Sequence, residues 1–156
     1  MIDEIDLKLI SLLQNNARSS LKQLAQEVFL SSPAVSSRLE RLEKVGIITG
    51  YQAKIDHQKL GYHITAFINL SMEPSQKPVF YPFINECPNV IECNCVTGSY
   101  SMLIKVAFPS TQELDTFIGE LQKFGTTKTQ IVFSTVVPYR GIVVGAQPDH
   151  SGEQKS

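Results

Sequence analysis

The chain has 156 residues, 42% hydrophobic and 19% charged, the composition of a soluble globular protein with length for one ordinary domain or two small, marginally stable ones. Its formal net charge of −1 gives no reason to expect nucleic acid, and residues 1–60 hold only eight Lys and Arg against seven Asp and Glu, compared with six against eight in the rest. No apolar run approaches the roughly 18 residues that span a bilayer, and the N-terminus Met-Ile-Asp-Glu-Ile-Asp is acidic, which excludes a membrane anchor and a signal peptide.

Three helices are legible in residues 1–50. Asp3 is placed to cap the first, with Asp6 at its N3 position and Ile5, Leu9, Ile10, Leu12 and Leu13 as a broad apolar face ending near Asn15-Asn16. Ser20 with Gln23 forms a capping box, and Leu21, Leu24, Ala25 and Val28 recur at helical spacing behind it. After a turn at Phe29-Leu30, Ser31 caps a third helix that carries Pro33 in its first turn, where a missing N–H is harmless. Val35, Leu39 and Leu42 give this helix one buried stripe.

The other surface of the third helix suits a DNA groove. Small residues near its start let the backbone approach, and hydroxyl and guanidinium groups reach phosphates and base edges. Ser32, Pro33, Ala34, Ser36, Ser37, Arg38 and Arg41 fit that description. The alternative is a plain solvated helix, which would more often display Glu and Lys than serine, a mediocre helix former. Gly46 is a natural C-cap, and Ile47-Ile48 open an extended segment, with residues 51–61 a linker strand.

Residues 62–140 read as strand, helix, strand, strand, helix, strand. The first strand spans 62–72, with Ile64, Ala66, Ile68 and Leu70 at period two. A helix over 76–87 carries Val79, Phe80, Phe83 and Ile84. Strands over 90–96 and 102–108 flank a turn at residues 97–100, where Gly98 supplies a positive φ. A helix over 111–124 shows Leu114, Phe117, Ile118 and Leu121 on one face, and a last strand occupies 130–137. The βαββαβ order predicts a ferredoxin-like sandwich, four antiparallel strands under two helices. The fold class is therefore α+β, a three-helix winged-type helix-turn-helix followed by this sandwich. The uncovered sheet face invites a second copy of the chain, and residues 141–156 form a tail that is disordered at its polar end, 147–156.

Cys93 and Cys95 lie two apart on a strand and share a side, but no histidine or second cysteine pair completes a zinc site. With Cys87 they read as reduced core or interface thiols of a cytoplasmic protein. His57, His63 and His150 form no triad with Ser or Asp, so no catalytic residue, metal or cofactor is expected.

The spacing Asp3-x-x-Asp6, Ile10-x-x-Leu13, Arg18-x-Ser20-x-x-x-Leu24-Ala25, Leu30-Ser31-x-x-x-Val35-x-x-Arg38-x-x-x-Leu42-Glu43 and Gly46-Ile47-Ile48-x-Gly50-Tyr51 resembles the Lrp/AsnC family of feast/famine regulators. The likeness runs to about residue 138, with Phe29 standing where the family usually has a turn glycine. It implies a sequence-specific regulator of double-stranded DNA, built as a homodimer or larger oligomer, whose second half senses an amino acid. It also implies that Gly98, Ser99, Tyr100 and Ser101 correspond to a Gly-x-Tyr-Asp loop at an effector site between dimers, with Ser134 and Thr135 lining the same pocket or merely alternating out of the sheet. Ser101 replaces the family's acid, so an ammonium group finds a hydroxyl there and no charge. Two alternatives share the architecture. Sirohaem decarboxylases resemble the fold, but would need basic and histidine residues that a second half with Arg140 as its one arginine lacks. A partner of other regulators that does not contact DNA is the other.

Overall fold

The structure is a computed structural model that describes residues 1–145. The tail expected to be disordered, 147–156, lies outside them. The chain forms two compact units, Ile55–Val136 and a second made of Met1–Lys54 with residues 137–145 of the returning chain. Residues 137–145 group with the N-terminal helices. Gln14 Nε2 donates to the Ile142 carbonyl at 3.1 Å within that unit.

In the N-terminal unit, α1 (Glu4–Asn15), α2 (Leu21–Val28) and α3 (Ser32–Lys44) follow the expected boundaries closely. Both capping boxes form, Asp3 with Asp6 and Ser20 with Gln23. Leu9, Leu24, Ala25, Val28, Val35 and Leu39 are buried together at the centre of the three helices. Burying a leucine-sized side chain contributes roughly 1.5–3 kcal/mol, enough for a few such residues to hold short helices that would not persist alone.

The expected linker strand over 51–61 does not form. Residues 51–56 have no regular structure, and Gln58–Leu60 is a single 3₁₀ turn closed by Gly61 in the left-handed region. A strand needs a neighbour to take its hydrogen bonds, and among the described residues none pairs with this segment.

The second unit contains β1 (Ile64–Met72), α4 (Lys77–Glu86), β2 (Val90–Cys95), β3 (Met102–Phe108), α5 (Thr111–Gln122) and β4 (Gly125–Ile131). The sheet order is β2-β3-β1-β4 with every pair antiparallel, which is the ferredoxin-like arrangement. Ala66, Ile68, Leu70 and Met72 on β1 face the helices, beside Met102, Ile104, Val106 and Phe108 on β3. Phe80 and Ile84 of α4 and Leu114, Phe117 and Leu121 of α5 close that core. Val79 is 63% exposed, so it belongs to the outer surface of α4 and not to its packed face.

The last strand is displaced from its expected place. It spans Gly125–Ile131 and not 130–137, and it ends where the Val132 N–H bonds to the Thr65 carbonyl at 2.9 Å. The strand uses Thr126, Thr127 and Thr129, β-branched side chains that suit a pleated edge without a hydrophobic signature. Gly125 starts it because space demands it: a Cβ there would meet the Ser71 carbonyl oxygen at 1.9 Å. Phe133 and Val136, beyond the strand, are almost fully exposed.

Candidate nucleic-acid interface and effector turn

The turn between α2 and α3 sets where α3 begins. Phe29 occupies it at φ 56° and ψ 42°, the left-handed conformation that glycine adopts freely. The Leu30 N–H bonds to the Ala25 carbonyl at 3.0 Å, the closing bond of a Schellman cap. A side chain with a Cβ pays roughly 1–2 kcal/mol there. The Lys8 ammonium, which also donates to the Glu27 carbonyl, lies 5.7 Å from the centre of the Phe29 ring and partly offsets that cost. Ser31 Oγ then accepts the Ala34 N–H at 3.3 Å, as its position at the helix start foretold.

α3 is anchored by Val35, Leu39 and Leu42, all buried. Pro33, Ser37, Glu40 and Arg41 are exposed on its outer side, and Ser32, Ala34, Ser36 and Arg38 are half-buried along its flanks. Ser36 Oγ donates to Glu40 Oε1 at 3.1 Å, so one of the candidate hydroxyls has an internal partner. Gly46, at φ 75°, ends the helix with Ile47 N–H bonding to the Leu42 carbonyl at 2.9 Å.

The two arginines have partners that spacing did not reveal. Arg38 Nη1 lies 2.7 Å from Asp3 Oδ2 and 2.9 Å from Asp6 Oδ1, and Arg41 Nη2 lies 2.6 Å from Asp6 Oδ2. Asp6 is fully buried. Burial pushes its carboxyl up, but the Asp3 amide and the bonds from Arg41 and Arg38 outweigh that and hold it at about 2. The Arg38 bond, and then the Asp6 amide, lower the Asp3 carboxyl in the same way. The capping pattern accounted for these aspartates locally. The missed signal was an acid at Asp6 inside the apolar stripe with Leu9 and Leu13, since a charge on a buried face requires a cation. Arg18, Lys22 and Lys44 are exposed and, among the described residues, join no ion pair.

In the second unit the residues 97–101 form the turn between β2 and β3. Gly98 has φ 105°, and the Val96 N–H bonds to the Ser101 carbonyl at 2.9 Å. Gly98 and Ser99 are exposed and Tyr100 is half-buried. Ser101 Oγ donates to the Leu70 carbonyl at 3.1 Å and accepts the Met72 N–H at 3.2 Å, which ties the hydroxyl to β1. Ser134 and Thr135 are not on the last strand. They follow its end and are exposed, because β4 finishes at Ile131. An open groove of about 530 Å³ lies elsewhere, between α5 and β4 at Thr111, Asp115, Ile118 and Thr129, and includes none of the turn residues.

Cys93 and Cys95 stand opposite Ile104 and Met102, on the helix-facing side. Cys93 packs against the core, and Cys95 is exposed. Among the described residues no three His, Cys, Asp or Glu side chains gather to hold a metal, and no helix is long and apolar enough to cross a membrane.

With this geometry in view, residues 2–49 match the family model for winged helix-turn-helix DNA-binding, and residues 65–142 match that of the Lrp/AsnC ligand binding domain. The chain is 39% identical to the HTH-type transcriptional regulator YezC of Bacillus subtilis over 134 residues, 86% of this chain and 95% of the relative. It is 37% identical to the HTH-type transcriptional regulator LrpA of the same organism, covering 85% of this chain and 98% of that one. Among solved structures, the feast or famine regulatory protein of M. tuberculosis complexed with L-methionine superposes with a TM-score of 0.83 at 28% identity, over 92% of this chain and 99% of that chain. The chain belongs to the Lrp/AsnC family of helix-turn-helix transcriptional regulators.

Proposed function

We propose that the protein is a cytoplasmic homo-oligomer that reads an operator duplex with α3 and changes its occupancy on binding an amino acid or related small molecule. The observation that carries this reading is the outer side of α3, with small residues at its capped start and a buried stripe behind them. Pro33 and Ala34 let the backbone approach the groove. Ser32 and Ser37 supply hydroxyl contacts, Ser36 does so on release from Glu40, and the guanidinium edges of Arg38 and Arg41 turned away from the aspartates reach phosphates or guanine. Arg18 in the turn before α2, Lys22 in the first turn of α2 and Lys44 at the end of α3 add phosphate contacts.

The effector half of the reading is supported by the ligand-binding family match and by the relative solved with L-methionine. The exposed turn at Gly98, Ser99 and Tyr100 offers backbone N–H groups to a carboxylate. Ser101 cannot answer an ammonium with charge, so an amino-acid ligand would take that partner from another residue or a neighbouring subunit. Self-association is supported by the sheet face opposite the helices, where Phe67 and Leu103 stand among polar neighbours and Lys105 lies over the Phe67 ring. This reading gives the chain no catalytic role.

Fluorescence anisotropy at fixed salt tests it, comparing duplex DNA from upstream of the protein's own gene with a scrambled fragment, with and without L-methionine or L-leucine. Affinity about 10³-fold tighter for the native fragment is expected. Equal, weak and steeply salt-dependent binding would overturn specific recognition of that fragment.

A further inference from the structure

Asp6 is the one charged residue among the described ones that is fully buried, and it lies on α1 rather than on the helix assigned to the groove. Its Oδ2 accepts the Asp3 N–H at 3.0 Å and Arg41 Nη2 at 2.6 Å, and its Oδ1 accepts Arg38 Nη1 at 2.9 Å. Asp3 Oδ2 shares Arg38 Nη1, and Arg41 Nη1 donates to the Met1 carbonyl at 3.0 Å. The two arginines stand one helical turn apart on α3, so a single carboxylate holds both. Their side chains are still 26% and 44% exposed, against none for Asp6. The bonds to the aspartates leave each Nε–H and further Nη protons unused.

We propose that Asp6 is a positioning residue for DNA reading, one that presets the Arg38 and Arg41 guanidinium groups as oriented donors and restrains them from moving among phosphates. The inference rests on the regulator reading above and deepens it. An arginine free on a helix surface loses rotamer freedom when it docks, whereas one held from folding onward has already lost it. The two aspartates also balance the two arginines in charge. The cluster therefore contributes little to counterion release, the term that makes binding to any DNA sequence favourable. Orientation without net charge favours specific over non-specific binding.

The test uses the full chain as wild type, Asp6→Asn and Asp3→Asn. The DNA is a duplex that wild type enriches from a randomised library, together with its scrambled version. Affinities are read by anisotropy across a salt series, and folding by circular dichroism. For a folded Asp6→Asn, the ratio of specific to scrambled affinity is expected to fall about tenfold or more, the size of one good base contact. Affinity for scrambled DNA should hold or rise, and the salt slope should steepen by about one. Equal loss on both DNAs would make Asp6 purely structural, equal gain would make it purely electrostatic, and no change would give it no part in reading. Each of these overturns the proposal. If Asp6→Asn does not fold, Asp3→Asn, at an exposed site, should show the same pattern at smaller size through Arg38, and an unchanged ratio there overturns it. Failure of wild type to enrich any duplex would defeat the regulator reading itself.

Discussion

The Ser101 hydroxyl donates to the Leu70 carbonyl oxygen across 3.1 Å, so the last residue of the turn between β2 and β3 is tied to the middle of the sheet. The Ser101 Oγ in turn accepts the Met72 N–H at 3.2 Å. Ser101→Ala removes both bonds and leaves the Met72 donor without its partner, at a cost of about 1–3 kcal/mol. Urea denaturation should show the loss as a lower midpoint with an unchanged slope.

Phe29 stands in a left-handed conformation and is 90% exposed, so its ring loses little burial when removed. Phe29→Gly relieves the backbone strain but loses the Lys8–ring contact and gives the unfolded chain more freedom. The balance should favour the variant by about 0.5–1 kcal/mol, seen as a raised thermal midpoint. A lowered midpoint would show that Phe29 contributes more packing than its exposure indicates.

Asp6 gives a stability component with a defined pH window. Its folded carboxyl is held at about 2, below the ordinary value of 3.8. A depressed folded value means that the contribution is complete above about pH 4 and is lost as pH falls through about 2. The difference in thermal midpoint between wild type and Asp6→Asn should therefore be constant from neutral pH to about 4 and shrink below it. A gap that closes near pH 6 instead would point to another titrating group.

Gly125 is needed for space and not for an unusual φ. Its missing Cβ admits the Ser71 carbonyl, and Gly125→Ala would push the start of β4 off β1. The expected cost is on the order of 1–3 kcal/mol. Hydrogen exchange should localise the effect to residues 125–131 and their β1 partners, with the N-terminal helices unchanged.

Much of the fold was legible because its signals are local. Asp3 with Asp6, Ser20 with Gln23 and Ser31 with Pro33 mark helix starts within four residues, and all three starts stand where those residues put them. The alternation on β1 and β3 identifies the core face because side-chain direction follows directly from a period of two. The surface of α3 was readable for the same reason, as positions on a regular helix.

What remained hidden depends on residues far apart in the chain. Arg38 and Arg41 read as free DNA contacts until α1 brought Asp3 and Asp6 beside them from more than thirty positions away. The Ser101 hydroxyl reads as open to a ligand until β1 supplies Leu70 and Met72. β4 ends at Ile131 and leaves the apolar Val132 and Phe133 beyond it. A threonine-rich edge could pair with β1, and the close approach of Gly125 to Ser71 set where that pairing began. Periodicity describes which way a side chain points. Its partner, and therefore its charge state and the bonds it has left for a ligand, is settled only when the chain brings a second element against it.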